Sequence, residues 1–175
     1  MKHLALATLP LLLAACGGEA PVPDDNPMEE AAHSDPLAIP VTLPPQVADF
    51  PALSSRTCID VVRFYGEALA AGQFAGAALA WADPVIDGER LRSLLAGYER
   101  PSFTWGQPGE EGAAGSLYCT VPGTLTDAAD GAKPPVTGEI VLRRVNDVDG
   151  ATPEQLRWTI RSSTFVEPLE RSARS

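Results

Sequence analysis

The chain contains almost no histidine, so it has few residues for chemistry that depends on an imidazole side chain. The 175 residues include two histidines, His3 and His33, and both precede the stretch from Ser55 onward whose apolar pattern indicates a folded domain. A domain without histidine lacks the usual general base, proton relay and nitrogen ligand for metals. The sequence therefore argues against Ser-His-Asp and Cys-His hydrolases and histidine zinc sites. It predicts no catalytic residue, metal or cofactor in the domain.

One cysteine lies at the end of an apolar N-terminal run. Lys2 supplies a basic start, and the run that follows is too short to cross a bilayer, which needs about 20 apolar residues. It ends in Leu13-Ala14-Ala15-Cys16, which resembles the bacterial lipobox. The resemblance implies that residues 1–15 are a cleaved lipoprotein signal peptide and that Cys16 carries the lipid that anchors the protein. The alternative is an ordinary signal peptide, cut at the two alanines, and an incidental cysteine.

Residues 17–54 have the composition of a disordered tether. They contain eight prolines and seven acidic residues, with no Lys or Arg. Such a segment buries too little apolar surface to offset the entropy that ordering would cost, and its prolines favour extended geometry. Gly17 stands where enterobacterial lipoproteins retained in the inner membrane have Asp. The lipobox resemblance therefore implies an outer-membrane anchor that faces the periplasm.

Cys58 and Cys119 are the two cysteines of the domain. An even number of cysteines in an exported domain favours one disulfide, and this bridge would close a loop of about 60 residues and constrain the unfolded chain by about 4 kcal/mol. Two buried free thiols are the open alternative. Neither cysteine belongs to a Cys-x-x-Cys pair, so the pattern does not indicate a thiol redox enzyme.

Three stretches from Ser55 onward place their apolar residues on one helical stripe. Thr57-Cys-Ile-Asp60 has the form of a capping box and opens the first stretch. A proline follows the second and the third stretch and stops each helix. The three predicted helices span 55–72, 74–83 and 87–100.

After Pro101 the apolar period changes from 3.6 to 2, which is typical of strands. The clearest strand alternates Leu156, Trp158 and Ile160 with polar residues. The four predicted strands span 102–106, 115–121, 136–145 and 155–164, and turn-rich stretches such as 107–110 and 146–150 separate them. The order of elements predicts an α+β fold over residues 55–166, with three N-terminal helices packed in a curved four-stranded antiparallel sheet. Residues 167–175 are predicted to be a disordered tail.

Several motifs of the domain resemble the nuclear transport factor 2-like superfamily. They are Phe64-Tyr65, Gly72-Gln-Phe74, Ala77-Ala-Leu-Ala-Trp81, Leu142-Arg-Arg-Val145 and Leu156-Arg-Trp-Thr-Ile160. More narrowly, the stretches 112–118, 142–148 and 150–155 look like a group of uncharacterised bacterial lipoproteins that carry this fold. The resemblance covers about residues 55–165 and implies a cystatin-like cone with an apolar mouth, as well as frequent dimerisation through the sheet. It does not imply a reaction.

The resemblance also suggests which side chains could face a cone pocket. The polyketide-cyclase and ketosteroid-isomerase branches of the superfamily use acids and tyrosines there, which implies Tyr65, Asp83 and Tyr98 as candidates. A desolvated aspartate can act as a base, and a tyrosine hydroxyl can stabilise an oxyanion. Trp81 and Trp105 are candidate pocket walls. The alternative is that Asp83 ends a helix and that the aromatic side chains belong to the core.

Three functions stay open at this point. The first is a membrane-anchored cell-envelope lipoprotein that is not an enzyme and whose domain binds an envelope protein or a small apolar ligand. The second is an isomerase, cyclase or dehydratase that uses a carboxylate in the cone. The third is a structural module that forms a homodimer. The domain has no basic stripe, so no nucleic-acid partner is expected.

Overall fold

The computed structural model describes residues 43–166. The predicted signal peptide, the predicted lipid attachment at Cys16 and the predicted tail 167–175 lie outside the described residues. Most of the predicted tether, residues 17–42, lies outside them as well. Among residues 43–166, no helix has the length and apolar character that a bilayer-spanning helix needs.

The segment before the predicted domain boundary is ordered. Two 3-10 helices, Val47–Asp49 and Pro51–Ser54, occupy part of the stretch assigned to the tether. Leu53 is fully buried, and the ring of Phe50 lies 4.9 Å from that of Phe64. Apolar residues three apart suit the three-residue turn of a 3-10 helix. The structured part of the chain therefore begins before Ser55, although the prolines and acidic residues around it suggested disorder.

Three α-helices follow, as the apolar spacing predicts, although the second ends at Ala78 rather than near Asp83. They are α1 (Cys58–Ala70), α2 (Phe74–Ala78) and α3 (Gly88–Leu94). α1 buries one stripe that includes Val61, Val62, Tyr65 and Leu69, and Gly72 follows it with a positive φ of 72°, which glycine adopts without strain.

The start of α1 is held differently from the predicted capping box. The side chain of Thr57 makes no capping hydrogen bond. Instead, the hydroxyl of Ser55 accepts a hydrogen bond from the backbone N–H of Thr57 at 3.1 Å and donates one to the Asp60 carboxylate at 2.7 Å. Thr57 therefore occupies the predicted N-cap position, but its side chain does not make the predicted capping box.

α3 is shorter than predicted, because it ends at Leu94 rather than near Arg100. Its start agrees with the prediction, since the Asp87 carboxylate accepts a hydrogen bond from the backbone N–H of Arg90 at 2.8 Å. The chain beyond the helix is instead bound by Asp127, whose carboxylate accepts hydrogen bonds from the backbone N–H groups of Glu99 and Arg100, both at 2.9 Å. A contact made by a distant residue overrides the local helical pattern.

The remaining chain forms one antiparallel sheet, which confirms the predicted α+β class with a strand count of five rather than four. The strands are β1 (Pro101–Trp105), β2 (Gly109–Ala113), β3 (Ser116–Asp127), β4 (Val136–Val145) and β5 (Thr159–Ser163). Their order is β1-β3-β4-β5, and β2 pairs with the other half of the β3 edge that β1 uses. The long strand β3 therefore organises the sheet.

β2 is the strand that the sequence pattern does not reveal. All five of its residues are exposed, so no apolar alternation marks it, and part of it falls in the predicted turn 107–110. It forms because a two-residue turn at Ala114 and Gly115 folds it back on β3. Both turn residues have positive φ, 42° and 81°, as a type I′ hairpin turn requires.

β5 begins later than predicted, at Thr159 rather than Gln155. Residues 152–156 form a helical turn in which the backbone N–H of Leu156 donates to the Thr152 carbonyl at 3.1 Å. The side chain of Gln155 accepts a hydrogen bond from the Thr152 N–H at 2.9 Å. Local hydrogen bonds therefore replace strand pairing where the apolar alternation had suggested a strand.

The core lies between α1 and the sheet and is tied together across the sequence. A disulfide joins Cys58 at the start of α1 to Cys119 in β3. At the β5 edge of the sheet, the N–H of Ile160 donates to the Ala80 carbonyl at 2.8 Å, and the N–H of Ala82 donates to the Ile160 carbonyl at 3.0 Å. The chain after α2 is thus attached to the outer side of β5.

Candidate functional site

The five residues proposed as a cone pocket do not gather around one cavity. Tyr65 is buried in α1, and its ring meets the edge of the Trp81 ring at 6.2 Å between centroids. Burial raises the pKa of the Tyr65 hydroxyl, and the neighbouring Trp81 side chain opposes that rise in part. Tyr65 lines an interior cavity together with leucines of α3 and the side chain of Phe165.

That interior cavity is nearly filled. Its volume is about 20 Å³, which is on the order of the space that one water molecule requires. Pockets that hold organic ligands usually enclose about 300–1,000 Å³. In this conformation, the cavity beside Tyr65 has no room for a small apolar ligand or for a substrate.

Asp83 and Tyr98 lie away from the interior cavity. Asp83 is exposed, and its carboxylate accepts a hydrogen bond from the backbone N–H of Val85 at 2.9 Å, as an Asx turn does. Tyr98 is partly buried, and the ammonium of Lys133 lies 3.7 Å from the centre of its ring. Burial and the nearby Asp127 carboxylate raise the pKa of Tyr98. Asp83 therefore has the contacts of a turn residue, and Tyr98 has those of an aromatic ring covered by a lysine side chain.

Trp105 packs as part of an aromatic cluster on β1. Its ring stacks on Phe103 with centroids 5.5 Å apart and meets Phe165 at 6.0 Å. A Cβ placed on Gly123 would lie 2.5 Å from the Trp105 ring, and one on Gly66 would lie 3.1 Å from it. Two glycines therefore make room for this indole. It is partly buried against the core, and it also lines two open surface grooves of about 400 and 350 Å³.

A carboxylate lies beside the disulfide. The Glu110 Oε1 atom is 3.5 Å from the Cys58 sulfur, and Cys58, Glu110 and Cys119 form the set of residues whose spacing could suit a metal ion. The two sulfurs are bonded to each other, so neither is the free thiolate that binds a metal. In this state the two cysteines therefore form a disulfide beside Glu110, and the three residues are not a metal centre.

A larger cleft opens at the surface, where the first 3-10 helix and the segment after it meet the turn before β5. Its volume is about 530 Å³, which lies within the range of ligand-binding pockets. Apolar side chains and polar side chains share the lining. The lining residues are Gln46, Val47, Ala48, Ser54, Arg56, Pro153, Glu154, Leu156 and Arg157. We call this space the Arg157 cleft.

A network of charges supports one side of the Arg157 cleft. The Asp147 carboxylate pairs with Arg56 at 2.7 Å and with Arg144 at 3.0 Å. The hydrogen bond from Arg144 lowers the pKa of Asp147, and Arg56 adds to that effect. The indole N–H of Trp158 donates to the Arg56 carbonyl at 2.9 Å, so a fully buried side chain holds the backbone of a cleft residue.

Within the described part of the chain, buried polar atoms without hydrogen-bond partners occur in Arg157, which lines the cleft, and in Arg144 and Asn146 of the chain next to Asp147. The Nη1 atom of Arg157 is buried and has no hydrogen-bond partner among residues 43–166, and the same holds for the Nε atom of Arg144 and the Oδ1 atom of Asn146. Desolvation lowers the pKa of Arg157, while the neighbouring Glu154 carboxylate opposes that change. Unpaired polar groups in a folded protein are costly and mark places where a partner is missing.

Sequence reasoning did not select the arginines of this site. Arg157 was assigned to the exposed side of a strand that begins only after it. Arg144 carried a usable hint, because it lies in phase with Ile140 and Leu142 on the buried side of β4. A charged residue at a position that the alternation reserves for an apolar side chain indicates a buried polar network.

Comparison with known proteins found no matching family model, no similar curated protein and no similar solved structure. The function of this chain is therefore argued from its own residues.

Proposed function

We propose that the protein is a lipid-anchored lipoprotein of the cell envelope, held at the outer membrane through Cys16, and that its domain is a binding module rather than an enzyme. The observation that carries the anchor is the sequence Leu13-Ala14-Ala15-Cys16, which places small residues before a cysteine at the end of an apolar run. The disulfide between Cys58 and Cys119 supports export, because such bridges persist in oxidising compartments.

The nuclear transport factor 2-like cone is part of this proposal. Three helices followed by an antiparallel sheet, with α1 packed against β1 and β3, support that fold. The nearly filled interior and the dispersed positions of Tyr65, Asp83 and Tyr98 give no support to an isomerase, cyclase or dehydratase. A binding site on the surface of the domain is the better explanation.

A homodimer through the sheet has less support than surface binding. The residues of β1 and β4 that face solvent include Thr104, Thr137 and Glu139, and polar side chains of this kind do not form the apolar patch that a stable sheet interface needs. The large apolar side chains that are exposed among residues 43–166, namely Leu43, Val85 and Val148, do not belong to strands.

Replacement of Cys16 by Ser tests the anchor. The native chain should incorporate labelled palmitate and fractionate with membranes, because several acyl chains bury enough methylene groups to hold a protein there. The Cys16→Ser chain should lose both properties, while a Cys58→Ser and Cys119→Ser double variant should keep the label. Mass spectrometry of the mature native chain that finds an unmodified N-terminus at any residue other than Cys16 would contradict the proposal.

A further inference from the structure

We propose that the Arg157 cleft binds an organic anion, whose carboxylate or phosphate group pairs with Arg157 and whose short apolar body rests on Val47, Pro153 and Leu156. The inference rests on the proposed function, because it names the kind of ligand that the binding module takes. It assigns a role to a surface that none of the sequence motifs singled out.

The dimensions of the cleft fit such a ligand. A volume of about 530 Å³ would accept a ring or a short chain with a charged end, which the interior cavity of about 20 Å³ cannot. Val47 and Leu156 are partly buried, while Pro153 is exposed, so together they provide an apolar wall that a ligand can cover. Ligand sites typically combine such a wall with a few polar groups that fix orientation.

Arg157 indicates the charge of the ligand. Its guanidinium is half-buried, and its Nη1 atom has no hydrogen-bond acceptor among the described residues. A guanidinium has five N–H donors and no acceptor, and it binds carboxylate and phosphate groups with two parallel hydrogen bonds. Arg157 lines the cleft, so an anion bound there would pair with this guanidinium once the side chain turns its buried Nη1 atom toward the cleft.

The charges already present do not occupy Arg157. Asp147 is shared by Arg56 and Arg144, which leaves one positive charge in excess in that trio. Glu154 influences Arg157 electrostatically, yet no ion pair within 4.0 Å joins the two among the described residues. The pKa of Glu154 is lowered mainly by its own backbone N–H and by the Thr152 hydroxyl, and Arg157 makes a smaller contribution. The site thus offers an incoming anion a guanidinium that makes no ion pair among residues 43–166, with a competing carboxylate nearby.

A calorimetric titration tests the proposal on the protein as the cell makes it, purified with its native N-terminus and, if it is acylated, held in lipid nanodiscs. The probes are benzoate, phenyl phosphate and benzyl alcohol, and empty nanodiscs correct for partition into lipid. At least one of the two anions should bind with a defined stoichiometry, and benzyl alcohol should bind at least tenfold more weakly. Tighter benzoate identifies a carboxylate ligand, and tighter phenyl phosphate identifies a phosphate ligand.

Three variants locate the site. Arg157→Gln should weaken anion binding by roughly tenfold or more, since a hydrogen-bonded charge is lost. Arg161→Gln is the matched control, because it removes the same charge from an exposed position on β5 and should leave binding unchanged. Glu154→Gln should strengthen binding, because it removes the competing carboxylate.

A stability measurement separates a binding role from a structural one. Because the Nη1 atom of Arg157 is buried and unpaired, Arg157→Gln should leave the melting temperature of the unliganded protein unchanged or raise it. A lowered melting temperature in that variant would assign Arg157 to the fold and overturn the proposal. Absence of binding by both anions, or equal binding by the native protein and Arg157→Gln, would overturn it as well. None of these outcomes depends on whether Cys16 is acylated, so failure of the anchor and failure of the cleft are told apart.

Discussion

The side chain of Asp127 binds the backbone of the chain segments around the end of β3. Its carboxylate is buried and accepts hydrogen bonds from the backbone N–H groups of Glu99, Arg100 and Ala129, at 2.9, 2.9 and 3.1 Å. These hydrogen bonds lower the pKa of Asp127, and Lys133 adds a smaller effect. The carboxylate therefore joins three stretches of chain: the loop before β1, the end of β3 and the turn after it.

Replacement of Asp127 by Asn should destabilise the protein and change its response to acid. A group whose folded pKa lies below its ordinary value stabilises the fold above that value and loses the effect as pH falls through the lowered pKa. The native protein should thus lose stability below about pH 4, and the variant should lose less over the same range. Thermal unfolding between pH 2 and pH 7 measures this. Asp149→Asn, at an exposed position, is the control, and an identical pH profile for native and Asp127→Asn would contradict the role.

Single residues with remote partners were beyond the reach of the sequence. Asp127 lies 27 and 28 positions from two of the groups that it binds, and no local spacing indicates such a pair. The residues around Arg157 presented the same difficulty, because a cleft made of a 3-10 helix, the segment after it and a turn has no periodic pattern. Tyr65 was predictable as a buried residue because it lies on the apolar stripe of its own helix.

At the scale of elements, the turn of the β2–β3 hairpin places Ala114 in a backbone conformation that alanine does not favour. Ala114 has a φ of 42°, in the left-handed region that costs most L-residues about 1 kcal/mol or more. Asn and Gly populate that region more readily, and Asn-Gly is the preferred pair for this turn. The hairpin therefore forms with local strain.

Ala114→Asn should raise the free energy of unfolding by about 0.5–1 kcal/mol, because it relieves that strain. Denaturant unfolding of the native protein and the variant measures the difference. Ala113→Asn, one residue earlier in the exposed strand, is the matched control and should not stabilise the protein. Gly115→Ala should destabilise it, since that residue has a φ of 81°. An Ala114→Asn variant that is less stable than the native protein would contradict the assigned turn.

Elements with an apolar stripe or a clear alternation were the predictable ones. α1 and β4 have strong patterns, and both lie within the predicted spans. β2 has no apolar residue facing the core, so it depends on the free edge of β3, which only the folded sheet provides. The C-terminal end of α3 and the start of β5 differ from the prediction for a related reason, because hydrogen bonds to side chains replaced the local pattern there.

At the scale of the whole molecule, the bridge between Cys58 and Cys119 closes a loop with a sequence separation of 61. It joins the first turn of α1 to the strand on which the sheet is organised. Both cysteines are fully buried, so the bridge also belongs to the core. The class of fold could be predicted from the order of the elements, whereas the bridge was only one of two open alternatives.

Replacement of both cysteines by Ala should lower the free energy of unfolding by about 4 kcal/mol, since the unfolded chain regains the entropy that a loop of this length restricts. Denaturant unfolding of the native protein, the native protein treated with reductant and the double variant measures this. The two bridge-free forms should unfold at similar, lower midpoints. A double variant with the native midpoint would show that the bridge does not constrain the chain.

The attachment of residues 80–82 to β5 has a consequence for how the molecule behaves at high concentration. A border strand with unpaired backbone groups invites the matching strand of another copy, which is a common route to ordered aggregates. Here Ile160 already has its N–H and its carbonyl occupied by Ala80 and Ala82, and at the opposite border β2 presents the exposed carboxylates of Glu110 and Glu111. Like charges repel, so two copies gain little from joining their sheets side by side.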